Sequence, residues 1–214
     1  MEDRRIAESS LRTDTGARAA VWHAACAFWI RAEFVTCVDE FLKVLHDHDT
    51  ATTALIAWCR CHHPCNAESV AITLLGDETM PADDYDGPLR PRDGETLRRR
   101  RVWLHWGDRV LSEAENWYIP ERLPPAMRDA VADGLRPYGA VVAALRPKRV
   151  TTTVLRTDDI ACDRFDDEEI LARLARTRGF SPPQAFVLHI HAVMTASGVV
   201  LAELREHYRR ELLP

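Results

Sequence analysis

The chain has 214 residues, 46% of them hydrophobic and 29% charged, with a formal net charge of −5. With a mean hydropathy of −0.26, this is the composition of a soluble globular protein of one large domain or two small ones. It excludes an overall electrostatic pull toward nucleic acid or anionic membranes. No apolar run approaches the roughly 20 residues of a membrane span, and residues 1–20 are polar and charged rather than signal-like. The expected location is cytoplasmic, which keeps the six cysteines as thiols.

Residues 1–18 read as a flexible leader, and 19–214 as a single domain. Helical spacing of apolar residues runs from Ala19 to about Leu45. A second helix follows, with Asp49 or Thr50 as N-cap and Leu55, Ile56 and Trp58 on its apolar face. Ser69–Leu75 has the β-branched content of a strand. The Pro-, Gly- and Asp-rich Asp77–Glu95 stretch then reads as a long surface loop or flap.

Next comes a hairpin in which Val102, Leu104 and Trp106 alternate with Arg101, Trp103 and His105 before Gly107–Asp108 turns the chain. A regular two-residue hairpin sets Trp103 opposite Ser112 and puts Arg101 on the face of Ser112, Ala114 and Asn116. Glu113, Glu115 and Trp117 then point to the other face. Pro124–Val131 reads as a short helix, Ala140–Leu145 and Arg149–Arg156 as strands, and Asp166–Arg178 as a charged amphipathic helix. Ala185–Met194 and Val199–Leu204 form a second hairpin around Ala196–Ser197–Gly198. The pattern is α+β: a single antiparallel sheet of about six strands with helices packed mainly on one face.

Several residues carry chemistry, each with a structural alternative. Arg101 has the planar fork that pairs with a carboxylate, or it simply ends the basic run Leu97–Arg101, read as the exposed approach to a strand. Glu113 and Glu115 share a strand face, solvated or functional; Asn116, Trp117 and Tyr118 line a pocket or fill a core. His189 and His191 also share a strand face, from which His191 can reach a ligand. The cluster Cys59, Cys61, His62, His63 and Cys65 contains zinc-ligand types, but its spacing matches no paired zinc knuckle. No metal or organic cofactor is expected.

An Arg-x-x-Leu strand (Arg101, Leu104), a strand rich in acids and aromatics ending at Ile119–Pro120, and Pro137–Tyr138–Gly139 occur in order. Arg149 follows, and then a C-terminal strand with Val200, Leu201, Ala202, Glu203 and Leu204. Over roughly residues 38–210 this resembles the chorismate lyase-like superfamily, which includes chorismate pyruvate-lyases and the UTRA ligand-binding domains of bacterial transcription regulators. The resemblance implies that Arg101 holds a substrate carboxylate and that Glu203 lies beside the substrate in a closed pocket as general acid or base. Arg149 can serve as a second anchor, and Asn116, Glu115, Trp117, Tyr118, Gly139 and His191 are the candidate ligand contacts. The reaction so implied is lyase-like, on a small cyclic or aromatic carboxylic acid. Its most concrete form is chorismate giving 4-hydroxybenzoate and pyruvate.

Two departures are visible. The segment Ser112–Tyr118 is more polar than a simple apolar strand, and the last strand continues through Glu206, His207 and Tyr208, as in the regulator-type domains. They leave open a dehydratase- or cyclase-type enzyme of specialised metabolism, or a non-catalytic small-molecule binding module. With no helix-turn-helix segment in front, a complete regulator is not expected. The expected partner is a small carboxylic acid, without nucleic acid or membrane, bound by a monomer or homodimer.

Overall fold

The computed structural model describes residues 35–156 and 186–214. The leader, most of the first expected helix and the charged helix expected over Asp166–Arg178 lie outside them. The chain divides into two compact units, Met1–Glu40 and Phe41–Pro214. In the first, the described residues 35–40 are helical.

The second unit opens with helical residues 41–46 (α1), followed by α2 at Ala51–His62. Thr50 caps α2 as expected, its hydroxyl accepting from the Thr53 N–H at 3.2 Å. Six strands follow: β1 (Ala71–Thr79), β2 (Arg98–Trp106), β3 (Arg109–Tyr118), β4 (Lys148–Arg156), β5 (Phe186–Ala196) and β6 (Val199–Arg209). Two short helices, α3 (Pro125–Ala132) and α4 (Tyr138–Val142), lie between β3 and β4. The strands form one sheet in the order β1-β2-β3-β6-β5-β4, with every pairing antiparallel. The observed fold class is the expected one. Ala140–Leu145, however, is helical rather than a strand. Pro137 starts a helix there, and a short apolar run carries no decisive period of its own.

The sheet has two unlike faces. One carries Val102, Leu104, Ala114, Leu204, Ile190 and Met194, and it buries them under the helices. Phe41 of α1 packs edge-on against Trp58 of α2 and Tyr208 of β6, at centroid distances of 5.4 and 4.9 Å. Tyr138 of α4 reaches Tyr118 of β3 at 5.6 Å. Burying side chains of this size stabilises the fold by about 1.5–3 kcal/mol each, so this face is the core.

The other face is polar. It owes its composition to a bulge that the regular hairpin register did not anticipate. Gly107, at φ +58°, turns the chain in two residues, and His105 pairs with Val110, but Leu104 pairs with Ser112. The extra residue, Leu111, is fully buried, and it shifts the register by one. Trp103 therefore lies opposite Glu113 rather than Ser112, and Arg101 opposite Glu115. Glu113, Glu115 and Trp117 thus share a face with Arg99 and Arg101 instead of opposing them.

The same alternation resolves the basic run. Arg98 bonds Asp77 at 2.8 Å, Arg99 pairs with Glu115, and Arg100 is fully buried under the helices. None of the four arginines of β2 belongs to an exposed approach. Among the described residues, no helix is long and apolar enough to cross a membrane.

Candidate functional site

Residues 80–97 form a flap closed at its base by the Met80 N–H bonding the Leu97 carbonyl at 2.9 Å. Leu89 and Leu97 are buried against Trp117 of β3 and Ile119, an anchoring worth about 1.5–3 kcal/mol per leucine. Arg122 adds a clamp, bonding both carboxylate oxygens of Glu95 at 3.1 and 2.8 Å, the Val200 carbonyl at 2.9 Å and the Arg90 carbonyl at 2.7 Å. That bidentate pairing holds the Glu95 carboxyl down at about 2.

The first half of the flap is held differently. The Tyr85 hydroxyl donates to Glu203 Oε2 at 2.7 Å and accepts from the Leu89 N–H at 3.2 Å. Burial, reinforced by Glu203, pushes the Tyr85 pKa far up, so the hydroxyl keeps its proton and remains a donor. At Gly87 the flap backbone comes so close that a Cβ would collide with Glu203 Oε2 and the Tyr85 ring and hydroxyl. Any larger residue here would have to displace those two side chains.

Between flap and sheet lies a cavity of about 690 Å³, within the usual range for small-molecule sites. The sheet contributes Arg99, Glu115, Trp117, His191, Glu203 and Arg205; the flap contributes Met80, Asp83, Asp84, Tyr85, Asp86 and Gly87. Cross-strand pairing places these side chains: Arg99 lies opposite Trp117, which lies opposite Glu203. In the next row, Glu115 lies opposite Arg205, which lies opposite His191.

The charges are interleaved. Arg99 bonds Glu115 Oε1 through Nε at 3.0 Å and also through Nη2, and Arg205 Nε bonds Glu203 Oε1 at 3.0 Å. The Arg205 guanidinium lies 4.3 Å from the Trp117 ring centre and that of Arg99 lies 5.6 Å from it, both within cation–π range. Glu115 is 1% exposed. Burial pushes its pKa up, and Arg99 opposes the shift.

One row further on, His189 and His207 are buried beside each other with their Nδ1 atoms 2.7 Å apart. One ring must therefore donate and the other accept. Burial first, then the neighbouring histidines, lowers His189 to about 4 and His207 to about 3. Both rings are thus neutral in the fold and take up protons in the unfolded chain at its ordinary value of 6.5. Stability contributed by this pair is fully present above that value and falls as the pH drops through it toward 4. Urea midpoints measured from pH 7 to 5 are expected to decline, and to decline less in His207→Gln. Identical slopes would contradict the burial of two neutral rings.

The sequence-predicted site residues divide between the faces. Glu115, Trp117, His191 and Glu203 meet in the cavity. Arg101 shares their face but does not line the cavity; its guanidinium lies against Gly76 of β1, with Nη2 3.4 Å from where a Cβ there would stand. Arg149, Asn116, Tyr118 and Gly139 are on the helix side. Arg149 pairs with Glu206 at 2.6 Å, and the Tyr118 hydroxyl bonds Asp77 at 2.9 Å. Asn116 and Gly139 border a small apolar cavity beside Thr52 and Tyr138.

Arg99, Arg205 and Tyr85 were not singled out in the sequence. Alternation with Arg101 and Glu203 marks the two arginines, whereas nothing local marks Tyr85, whose partner lies 118 residues away. In the Cys–His cluster, Cys59 is buried, which pushes its thiol up to about 12, and His63 bonds the Leu212 carbonyl at 2.8 Å. Among the described residues, no three His, Cys, Asp or Glu side chains converge on a point that could hold a metal ion.

No family model matches the chain. A Sinorhizobium fredii protein named "Uncharacterized protein y4mC" is 27% identical over 186 residues, covering 86% of this chain and 78% of that protein. Among solved structures, the effector domain of PhnF from Mycobacterium smegmatis aligns with a TM-score of 0.43 at 15% identity, over 76% of this chain and 90% of that one. The structure of PhnF from the same organism gives 0.44 at 15% identity, over 78% and 66%. YydK of Bacillus subtilis, described as a possible transcriptional regulator, gives 0.38 at 12% identity over 68% of this chain. The chain spans 59% of the YydK chain's length.

Proposed function

We propose that this protein binds a small carboxylic acid in the cavity between flap and polar sheet face, with Arg205 as the anchor. The observation that carries this reading is the state of Arg205. Only its Nε bonds Glu203, while the guanidinium lies 4.3 Å from the Trp117 ring centre in a cavity large enough for a ligand. Among the described residues nothing bonds its two Nη atoms, so their four N–H donors can grip a planar carboxylate. Arg99 lies 5.6 Å from the same ring centre and is largely committed to Glu115.

Binding fits the geometry better than lyase chemistry does. Both oxygens of Glu203 are already engaged, Oε1 by Arg205 and Oε2 by Tyr85, so the carboxylate serves as an acceptor that fixes the flap. A general acid or base needs an oxygen within reach of the transferred proton. Tryptophan emission titrated with a panel of cyclic and aromatic carboxylates is expected to show saturable quenching by at least one member, absent in Trp117→Phe. Chorismate is expected to release no pyruvate. No saturable response from any acid would reject the binding reading, and pyruvate release abolished by Glu203→Gln would replace it with the lyase.

A further inference from the structure

Resting on that reading, we infer that the ligand is an amino carboxylate, carrying a protonated amine close to its carboxylate, with Glu115 as the residue that selects it. The first observation is an unsatisfied oxygen. Glu115 lines the cavity and is 1% exposed. Arg99 occupies Oε1, while Oε2 is buried with no hydrogen-bond partner among the described residues. A buried carboxylate oxygen calls for a donor, and a ligand N–H would satisfy it after a small rotation of the side chain.

The second observation is the charge balance of the lining. Asp83, Asp84, Asp86, Glu115 and Glu203 stand against Arg99 and Arg205. A purely anionic ligand would add to this excess of negative charge, whereas a ligand carrying its own cation beside the carboxylate would not.

The third is spacing. Glu115 and Arg205 are directly opposed across β3 and β6, which sets their Cβ atoms about 4.5–5.5 Å apart. Glu115 bonds Arg99 and Arg205 bonds Glu203, so the acceptor and the donor rise from adjacent positions of the sheet without pairing with each other. A ligand whose ammonium and carboxylate are neighbours, as in an α-amino acid, can bridge them. The carboxylate would lie on the Arg205 fork and the ammonium at Glu115. A site built around such a buried acceptor discriminates strongly against an analogue that lacks the donor.

The test is calorimetric titration of the full chain with matched pairs: L-phenylalanine against 3-phenylpropanoate, and L-leucine against 4-methylpentanoate. Phenethylamine serves as the cation-only control. In at least one pair the amino acid is expected to bind at least about tenfold more tightly than its deaminated acid. Glu115→Gln is expected to shrink that ratio to about threefold or less. Deaminated acids that bind as tightly as the amino acids would overturn the inference and leave the carboxylate site standing. An unchanged ratio in a folded Glu115→Gln would remove Glu115 as the selector. If neither member of any pair binds, the amino carboxylate inference falls, and if the aromatic-acid panel is also silent the small-molecule reading falls with it.

Discussion

Gly87→Val is expected to weaken ligand binding by at least about tenfold while leaving the fold intact. A side chain at this position meets Glu203 Oε2 and the Tyr85 ring and hydroxyl. Relief requires those two side chains to move, which breaks the Tyr85–Glu203 bond and lifts the front of the flap. A hydrogen bond to a charged group contributes about 1.5–3 kcal/mol, so loss of the closed arrangement accounts for the expected change. The rest of the flap remains fixed by Leu89, Leu97 and the Arg122–Glu95 clamp, and the helix-side core is untouched. Thermal unfolding should therefore change little. A large fall in melting temperature in Gly87→Val would show that the flap is part of the fold rather than a cover on the site.

Arg149→Met is expected to have the largest effect on stability, about 3–5 kcal/mol. On the helix side of the sheet, Arg149 and Glu206 form an ion pair whose side chains are 3% and 4% exposed. The Tyr208 hydroxyl donates to the same Glu206 oxygen at 2.8 Å. Burial disfavours the charged guanidinium, and Glu206 with Tyr208 more than offsets it, so the Arg149 pKa lies above its ordinary value. Removing the arginine leaves a buried carboxylate with only the tyrosine to answer it. For a domain of this size the loss corresponds to a melting temperature lower by roughly 10 °C.

Replacing both partners, Arg149→Met with Glu206→Leu, removes the stranded charge, so the double variant is expected to be more stable than the single one. A double variant as unstable as Arg149→Met would mean that packing around these side chains, not the unpaired charge, carries the cost. Neither variant touches the cavity under the flap, so ligand binding per folded molecule should be retained.

The sheet was legible because its strands are marked by alternation and turn chemistry. Val102, Leu104 and Trp106 follow a period of two, and Ser197–Gly198 at positive φ makes the second hairpin turn. The assignment of residues to faces was not legible, because one buried residue decides it. Leu111 reads as an ordinary strand leucine, yet as the bulged residue it carries Glu113, Glu115 and Trp117 to the side of Arg99. Ala140–Leu145 misleads for a different reason, since two valines among alanines suit a strand or a buried helical turn equally.

At the site, Glu203 was named by the family resemblance, whereas Glu115, Trp117 and His191 could be named in advance because a polar or aromatic residue on a core strand needs a reason to be there. Arg99 was hidden inside a run that looks like surface charge, and only the sheet register separates its role from those of Arg98 and Arg100. Tyr85 was beyond reach, because its meaning lies entirely in a contact made when the flap folds over β6.

A structure of the protein determined with the tightest-binding member of the acid and amino acid panel would show which face of the sheet holds the ligand. The ligand is expected beneath the flap, its carboxylate on the Nη edge of Arg205 beside Trp117, with Tyr85 still closed on Glu203. A ligand seated on the helix side of the sheet near Asn116, or one held without contact to Arg205, would contradict it.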